Sequence, residues 1–259
     1  MTTLPLTVIV TTYNEEANIS RCLGAVREWA REILVVDSFS TDDTVKQAQA
    51  LGARILQRTY QGPADQKNWV IPQASQAWIL LLDADEVPTP ALMEEIAHLL
   101  RRNVPPSEDM YWIGRDNFFM GQPVRFSGWQ GDKVVRFFHR DKARYNDLQV
   151  HEEIVTQGFR VGMLKGRLQH YTFRTLSHYL AKTERYARWS AQDHATRTPV
   201  VRGYHLVGKP FFRFFKHFVL QQGFRDGKTG LIVSAIMAWG VFLRYAFIQE
   251  IQQTNSQFK

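Results

Sequence analysis

The chain has 259 residues, of which 44% are hydrophobic and 22% are charged, and this composition excludes a disordered or fibrous protein. The net charge is +7, but residues 201–259 hold eight basic and two acidic residues, while residues 1–200 are nearly neutral. A basic tail on a near-neutral chain argues against a nucleic-acid-binding core and favours a local anionic partner.

The first hundred residues alternate short apolar runs with polar, helix-like segments. The apolar runs predict strands at residues 6–10, 33–36, 53–57 and 78–82. Apolar residues spaced by three and four predict helices at residues 14–31, 40–51, 65–75 and 90–102. This alternation is typical of an α/β fold with a mainly parallel sheet that helices cover on both sides.

Polar motifs follow three of the predicted strands. They are Tyr13-Asn14-Glu15, Asp37-Ser38 and Asp83-Ala84-Asp85. Ligands of parallel sheets bind at the carboxyl ends of the strands, so we expect the three motifs to meet there. The paired carboxylates of Asp83 and Asp85 are suited to share a divalent cation with a diphosphate. The alternative is a capping cluster for the helix after Pro88.

Two of these three strand ends carry candidate nucleotide contacts. Asp37 is either an acceptor for a base or ribose donor or a cap for the turn into Ser40. Thr11, Tyr13 and Glu15 end the first strand, where an aromatic ring can stack on a base. No Gly-x-Gly-x-x-Gly and no Gly-Lys-Ser/Thr follows a strand, which argues against a dinucleotide fold and a P-loop.

The pattern changes after Pro105-Pro106. Strands are predicted at residues 110–119, 133–139 and 154–161, with glycine-containing turns between them, so we expect an antiparallel extension. Apolar residues spaced by three and four predict a helix from residue 175 to about 196. Trp129 and Arg136 lie in this half and are candidates for acceptor contacts, since an indole face suits a sugar and a guanidinium suits a phosphate. For Trp129 the favoured alternative is packing in the core or in a turn.

Together, three segments resemble the family 2 glycosyltransferases, which have the GT-A fold. The matching segments are residues 8–16 (VIVTTYNEE), 35–44 (VVDSFSTDDT) and 81–86 (LLDADE). The second motif departs from the usual Asp-Asp-Gly-Ser, because this chain reads Asp37-Ser38-Phe39-Ser40. The resemblance therefore leaves the detailed shape of that loop open.

The resemblance implies a donor site for a UDP-sugar. By it, the nucleotide pocket contains Thr11, Tyr13, Glu15, Asp37, Lys67, Asp83 and Ala84. Asp83 would face the ribose or the metal, and Asp85 would bind Mn²⁺ or Mg²⁺. Lys67 would lie near the phosphates; the alternative is an exposed helix lysine.

The second half of the chain narrows the resemblance to a subgroup. His151-Glu152-Glu153 stands where the family usually carries a Glu-Asp pair, and residues 223–230 (GFRDGKTG) also match. That subgroup transfers glucose to a heptose of the lipopolysaccharide inner core. Inverting transfer needs a carboxylate base, and Glu152 is the candidate, with Glu153 as its rival. His151 and His170 are candidate acceptor or diphosphate contacts: His151 could orient Glu152 or the acceptor, and His170 could be a metal or diphosphate ligand. The alternative for each is a packed residue.

The tail interleaves phenylalanines with basic residues over residues 209–225. Helical spacing predicts one stripe at Phe211, Phe215 and Phe218 and a basic stripe beside it, as in a helix that lies on an anionic membrane surface. The alternative is that the tail closes the core or a dimer. The longest uncharged apolar stretch, residues 231–243, is shorter than a membrane-spanning helix needs.

These observations define the expected organisation and location. We expect a GT-A catalytic domain over residues 1–200, divided into a nucleotide-binding half (1–104) and an acceptor-binding half (105–200), and a helical tail over 201–259. No secretory signal is visible, and Cys22, the single cysteine, excludes an intramolecular disulfide. The expected location is the cytoplasmic face of the inner membrane, where a lipid-anchored glycan would be the acceptor.

Two alternatives remain open at this point. The chain could transfer a UDP-sugar to another membrane glycolipid, or it could be a nucleotidyltransferase, a class that also places paired acids after a strand. Nucleotidyltransferases usually begin with a glycine-rich, basic phosphate loop, and residues 11–16 contain neither glycine nor a basic residue. The glycosyltransferase interpretation is therefore favoured.

Overall fold

The computed structural model describes residues 3–102, 104–146, 153–195 and 197–257. The chain forms two compact units. Unit 1 comprises residues 1–116 and 131–170, and unit 2 comprises residues 117–130 and 171–259. Residues 171–200, which we grouped with the acceptor-binding half, belong to the same unit as the tail.

Strands and helices alternate up to residue 100. Beyond it, among the residues described, four strands come first and four helices follow. The strands are β1 (Leu4–Thr12), β2 (Ala30–Asp37), β3 (Arg54–Gln57), β4 (Trp78–Asp83), β5 (Glu86–Pro88), β6 (Met110–Phe119), β7 (Gln122–Val124), β8 (Lys133–His139) and β9 (Val161–Phe173). The helices are α1 (Ile19–Gly24), α2 (Thr44–Ala50), α3 (Pro63–Val70), α4 (Pro90–Leu100), α5 (Leu176–His194), α6 (Gly203–Leu206), α7 (Gly208–Phe215) and α8 (Gly227–Gln257).

One mixed sheet organises unit 1, with the strand order β3-β2-β1-β4-β8-β6-β9-β5. The first four strands are parallel, and β8 joins β4 in antiparallel orientation. The parallel strands are continuous apolar runs because helices or loops cover both faces of a parallel sheet. The predicted α/β fold and its antiparallel extension beyond residue 105 are both confirmed.

Two apolar clusters, which lie on opposite faces of the sheet, fix its register. Alternate residues of β1 belong to different clusters, with Val8 and Val10 in one and Ile9 in the other. Leu80 and Leu82 of β4 join the first cluster, and Ile79 and Leu81 join the second. A slip of one residue would exchange these two sets, so burial on both faces fixes where the strand ends fall.

Several predicted elements differ from the observed ones. The helix predicted over residues 14–31 is shorter than expected and consists of the six-residue α1. Asn14 has φ +53°, which is not a helical conformation, and residues 16–18 and 25–29 form turns on either side of α1. The strand predicted over residues 154–161 is wrong: Ile154 makes an isolated bridge with Tyr145, and β9 begins at Val161. The helix predicted from 175 to about 196 is confirmed as α5.

Unit 2 is built on α8, a helix of 31 residues. Its apolar side chains form two clusters, Val233 and Ile236 with Phe119 and Phe173, and Val241 and Ile248 with Ala191 of α5. The helix is about 46 Å long at 1.5 Å per residue. The helical stretch 223–254 is long enough and apolar enough to cross a membrane, by length and composition alone. The uncharged stretch 231–243 is shorter than a membrane-spanning helix, but the helix that contains it continues through Arg244 and reaches that length.

The segment 223–230 has a structural role within unit 2. The carboxylate of Asp226 accepts hydrogen bonds from the backbone N–H groups of Arg125 and Phe126, at 3.1 and 2.9 Å. A Cβ atom at Gly230 would lie 1.9 Å from the carbonyl oxygen of Gly223. Residues 223–230 therefore hold the start of α8 against the turn at 125–127, and only glycine fits at position 230.

Candidate active site

The ends of three neighbouring strands bring the predicted nucleotide residues together. In the register of the sheet, Thr11 of β1 lies beside Asp83 of β4, and Thr12 lies beside Asp37 of β2. The Thr11 hydroxyl donates to Asp83 Oδ1 at 3.0 Å, and the Ala84 N–H donates to the Thr11 carbonyl at 3.2 Å. The expected meeting of the motifs at the carboxyl end of the sheet is confirmed.

Two cations face the carboxylate of Asp83. Lys67 Nζ lies 3.5 Å from Asp83 Oδ1, and the Arg136 guanidinium donates to Asp83 Oδ2. Burial alone would raise the pKa of Asp83, but Arg136 and then Lys67 outweigh it, so the pKa lies well below the usual range of a carboxyl. Asp83 is therefore ionised at neutral pH, and its negative charge is compensated inside the protein.

Lys67 is a buried residue, not an exposed helix lysine. Its side chain is 4% exposed, and its ammonium lies 5.1 Å from the centre of the Tyr145 ring. The α3 helix that carries it begins at Pro63, the favoured first position of a helix. Asn68 of the same helix donates to the Tyr145 carbonyl at 3.0 Å, which fixes that ring beside Lys67.

Glu86 forms the buried centre of the cluster, although the sequence analysis assigned it no role. Its side chain is fully buried, and Arg136 donates to Oε1 at 3.0 Å while Arg115 donates to the same oxygen at 3.2 Å. Glu86 Oε2 accepts from the Asp83 N–H at 3.1 Å. A buried carboxylate needs such partners. Glu86 therefore fixes the backbone at Asp83 and aligns Arg136 beneath it.

Arg136 occupies a different position from the one expected of an acceptor contact. It is 4% exposed, and its partners are Asp83, Glu86 and the Tyr145 hydroxyl, to which it donates at 3.3 Å. Burial would lower the pKa of this guanidinium, but Asp83 and Glu86 hold the pKa above its usual range. These contacts give Arg136 a positioning role beneath Asp83, and an acceptor contact stays a prediction.

Asp85 and His170 form the part of the site that fits a metal ion. His170 Nε2 lies 3.4 Å from Asp85 Oδ2, and the pairing of β5 with β9 places Glu86 beside His170. Carboxylate oxygens suit both Mn²⁺ and Mg²⁺, and Mg²⁺ is usually bound by one or two carboxylates together with substrate phosphates. Histidine is a common metal ligand in proteins. Among the described residues no group of three such side chains forms a complete metal site. These two donors fit a cation whose other ligands come from a diphosphate.

Asp37 holds the loop after β2 in place. Asp37 is fully buried, and its carboxylate accepts from the Ser40 N–H at 2.9 Å and from the Ser40 hydroxyl. Phe39 has φ +62° in this turn, where the usual family motif carries glycine. Asp37 therefore caps the turn, and a contact to a base stays a prediction.

The loop after β1 presents the other predicted nucleotide residues. Tyr13 is 57% exposed, which leaves its ring accessible for stacking. The Glu15 carboxylate accepts from the Asn18 amide at 2.7 Å, and its N–H donates to the Thr44 hydroxyl at 2.8 Å. Asn14 Oδ1 accepts from the Thr41 N–H at 2.8 Å. The loops after β1 and β2 therefore hold each other in place.

The remaining predicted residues lie elsewhere. His151 and Glu152 are outside the described residues, so their roles stay predictions. Trp129 belongs to unit 2, where its ring lies 6.2 Å from that of Phe173, so it has a packing role there. Cys22 is buried, and burial followed by the nearby carboxylate of Glu86 raises the pKa of its thiol.

Comparison with known proteins places the chain in a family. The model of glycosyl transferase family 2 matches residues 7–166. A lipopolysaccharide core biosynthesis glycosyltransferase, LpsC of Rhizobium meliloti (strain 1021), is 28% identical over 257 residues, which cover 94% of each protein. An uncharacterized glycosyltransferase of Rickettsia typhi is 26% identical over 254 residues, 95% of this chain and 87% of that protein.

A solved structure shows a similar fold. The mannosyltransferase PcManGT from Pyrobaculum calidifontis, in complex with GDP-Man and Mn²⁺, has a TM-score of 0.54 and 17% identity, and the match covers 98% of this chain and 88% of that one. This likeness covers the fold alone. The family match spans the site residues from Thr11 to Arg136 and most of unit 1, and His170 lies four residues beyond its end. The chain is therefore a glycosyltransferase with a GT-A fold, and it belongs to glycosyl transferase family 2.

Proposed function

We propose that this protein is an inverting, metal-dependent glycosyltransferase. It would transfer a hexose from a UDP-sugar to a heptose of the lipopolysaccharide inner core, and glucose is the proposed hexose. The observation that carries the proposal is the strand-end cluster, where Asp83 is held by two cations and Asp85 lies beside His170. The whole-length similarity to a lipopolysaccharide core glycosyltransferase supports the choice of acceptor.

The donor would bind across the ends of β1, β2 and β4. Tyr13, the exposed ring after β1, would stack on the uracil, and Asp37 would accept from it. Asp83 is proposed to accept from the ribose, because Lys67 and Arg136 already balance its charge and make it a weaker metal ligand than Asp85. Glu15 and Ala84 complete the proposed pocket wall. The loops are fixed before the donor arrives, which lowers the entropy cost of binding.

Asp85 and His170 would hold the divalent cation. A bound Mn²⁺ or Mg²⁺ supplies a positive charge that holds the diphosphate and stabilises the charge that develops on this leaving group. Lys67 lies within the same cluster, and its ammonium adds to the positive field at the ends of the strands. Glu86 and Arg136 keep the turn that carries Asp83 and Asp85 in place.

The displacement itself needs a base. The acceptor hydroxyl oxygen attacks the anomeric carbon, the bond between that carbon and the diphosphate oxygen breaks, and the configuration inverts. Glu152 would take the hydroxyl proton, and His151 would orient either this carboxylate or the acceptor. Glu153, the rival, is exposed, and its backbone pairs with Asn146 on the adjacent segment. UDP is the second product.

The tail would hold the enzyme at an anionic membrane surface. On α7, Phe211 and Phe212 are 71% and 60% exposed, and Leu220 and Phe224 beyond it are also exposed. Exposed aromatic rings beside basic residues favour a membrane interface. Basic residues near anionic lipid contribute about 1 kcal/mol each. Such attachment would bring the donor site to a lipid-anchored acceptor on the cytoplasmic face of the inner membrane.

A donor screen tests the proposal. Purified protein is incubated with UDP-glucose, UDP-galactose, UDP-GlcNAc or GDP-mannose, with Mn²⁺ or Mg²⁺, and with or without purified core glycolipid that ends in heptose. We expect UDP release that requires both UDP-glucose and the glycolipid, and a hexose added to the glycolipid by mass spectrometry. Preference for another donor would refute glucose, and turnover without any need for the heptose acceptor would refute the acceptor.

A further inference from the structure

A cleft of about 290 Å³ lies in unit 2 between α5, α7 and α8. Part of its wall is apolar, formed by Phe173, Met237 and Val241. Three cationic side chains also line it, and they are Lys182, Arg213 and Arg244. Among the residues that the structure describes, no aspartate or glutamate lines it. An apolar wall beside several positive charges is the combination expected of a site for an anion that carries an apolar group.

Arg213 is held in a defined orientation. Its Nη1 lies 3.2 Å from His217 Nε2, and His217 Nδ1 lies 2.7 Å from the Ser127 carbonyl oxygen. Burial lowers the pKa of His217, so the ring is neutral at neutral pH. The carbonyl needs a donor, so Nδ1 carries the proton and Nε2 accepts from Arg213. This chain of hydrogen bonds orients the guanidinium without neutralising its charge.

Arg244 brings a second guanidinium to the cleft. Its Nε is buried and makes no hydrogen bond to any residue the structure describes. The guanidinium lies over the Tyr245 ring at 4.8 Å. Burial and then the charge of Arg244 lower the pKa of Arg213, so the two cations oppose each other. Two partly buried cations of this kind are unfavourable until an anion joins them.

Tyr179 adds an unused hydrogen-bond donor. The side chain is 5% exposed and lines the cleft, and its hydroxyl is buried without a hydrogen-bond partner among the described residues. Burial raises the pKa of Tyr179, so the hydroxyl remains protonated at neutral pH. A buried hydroxyl usually has a partner. An oxygen atom of a bound anion would supply it.

We propose that this cleft binds the phosphate group of an amphiphilic molecule, with Arg213, Arg244 and Tyr179 as donors to the phosphate and the apolar wall against its hydrocarbon chain. Guanidinium groups suit phosphate because they donate two parallel hydrogen bonds. Lys182, whose ammonium lies 5.0 Å from the centre of the Phe173 ring, adds a further positive charge. The site differs from the donor site, which is built entirely from residues of unit 1.

Calorimetric titration of the full-length protein with short-chain lipids tests this. The probe is dihexanoyl phosphatidic acid below its micellar concentration, compared with dihexanoyl phosphatidylcholine and with inorganic phosphate. We expect saturable binding of one phosphatidic acid per chain, at least about tenfold tighter than either comparison. Equal affinity for inorganic phosphate would overturn the amphiphile, and equal affinity for phosphatidylcholine would overturn the role of the anionic charge.

Variants locate the site. Arg213→Gln/Arg244→Gln should weaken binding of phosphatidic acid by about tenfold or more. The matched control, Arg185→Gln/Arg188→Gln, removes the same charge from exposed positions of α5 and should change it by less than about twofold. Equal losses in the two double variants would overturn the site. Tyr179→Phe preserves the packing and should weaken binding several-fold even if the first double variant does not fold; no loss there would also contradict the proposal.

Discussion

The guanidinium of Arg136 and the carboxylate of Glu86 form an ion pair that is buried on both sides, with Nη2 donating to Oε1 at 3.0 Å. The same guanidinium also contacts Asp83, the first acid of the Asp83-Ala84-Asp85 motif. Strand β8 therefore supports the motif through Arg136. The position of the candidate donor site depends on an ion pair between residues that are 50 positions apart in sequence.

Loss of Arg136 should destabilise unit 1. In Arg136→Gln, Arg115 would be the one cationic partner left to Glu86 among the described residues, and breaking a buried pair from one side costs about 3–5 kcal/mol. Urea unfolding should show a decrease of this size. The control, Arg160→Gln, alters a residue whose side chain is 72% exposed, and it should change stability by less than about 0.5 kcal/mol. Equal effects in the two variants would contradict the proposed support.

The Asp83 carboxylate should make stability depend on pH in acid. Its pKa is lowered in the folded state from the ordinary value of 3.8, so its contribution is complete above that value and is lost as the pH falls further. The difference in unfolding free energy between wild type and Asp83→Asn should be largest near neutral pH and should shrink below about pH 4. A difference that stays constant to about pH 2 would show that Asp83 is not ionised in its contacts with Lys67 and Arg136.

The two candidate bases can be separated by kinetics. Glu152→Gln should retain UDP-sugar binding and lose about 10²-fold or more in kcat, because general-base catalysis contributes that much. Glu153→Gln, its matched neighbour, should keep most of kcat. The reverse pattern would assign the base to Glu153. Loss of donor binding in Glu152→Gln would instead indicate a structural role.

The exposed rings of α7 should determine membrane binding. Phe211→Ser/Phe212→Ser should weaken sedimentation with vesicles of phosphatidylcholine and phosphatidylglycerol, and the remaining binding should decrease with added salt. Tyr60→Ser/Met163→Ser is the control, because those side chains are 55% and 56% exposed in unit 1. Unchanged binding in the α7 variant would refute the membrane surface. Substitution is preferable to deletion of the tail, since α8 supplies the core of unit 2.

The sequence correctly predicted where the buried parallel strands end. The apolar runs fixed the ends of β1, β2 and β4, so the meeting of Thr11, Asp37 and Asp83 followed from general rules for parallel sheets. The place of Asp83 and Asp85 at the end of β4 needed only the motif and its position after a buried strand. The sequence also indicated the antiparallel extension of the sheet. After Pro105, strands separated by glycine-containing turns replace the alternation of strands and helices.

The contacts that support the site could not be read from the sequence. Glu86 and Arg136 come together only when β8 pairs with β4, and no local pattern reports that pairing. For Lys67 the sequence left an exposed helix lysine open as the alternative to a place near the phosphates, because a short helix carries little periodic signal. Helix α8 looked too short because Arg244 ended the apolar run, whereas its guanidinium packs on the Tyr245 ring and the helix continues. Long side chains can bury their stems in this way.

The most direct test of the account is the metal dependence of sugar transfer in Asp85→Asn. Transfer from UDP-glucose to core glycolipid is measured against Mn²⁺ concentration, with circular dichroism as the check on folding. We predict that wild type needs the metal and that Asp85→Asn keeps its fold and loses transfer by at least about 10²-fold. Asp116→Asn, an exposed acid paired with Arg167, should retain wild-type activity. Full metal-dependent transfer in Asp85→Asn would contradict the central claim that Asp85 holds the metal and the diphosphate.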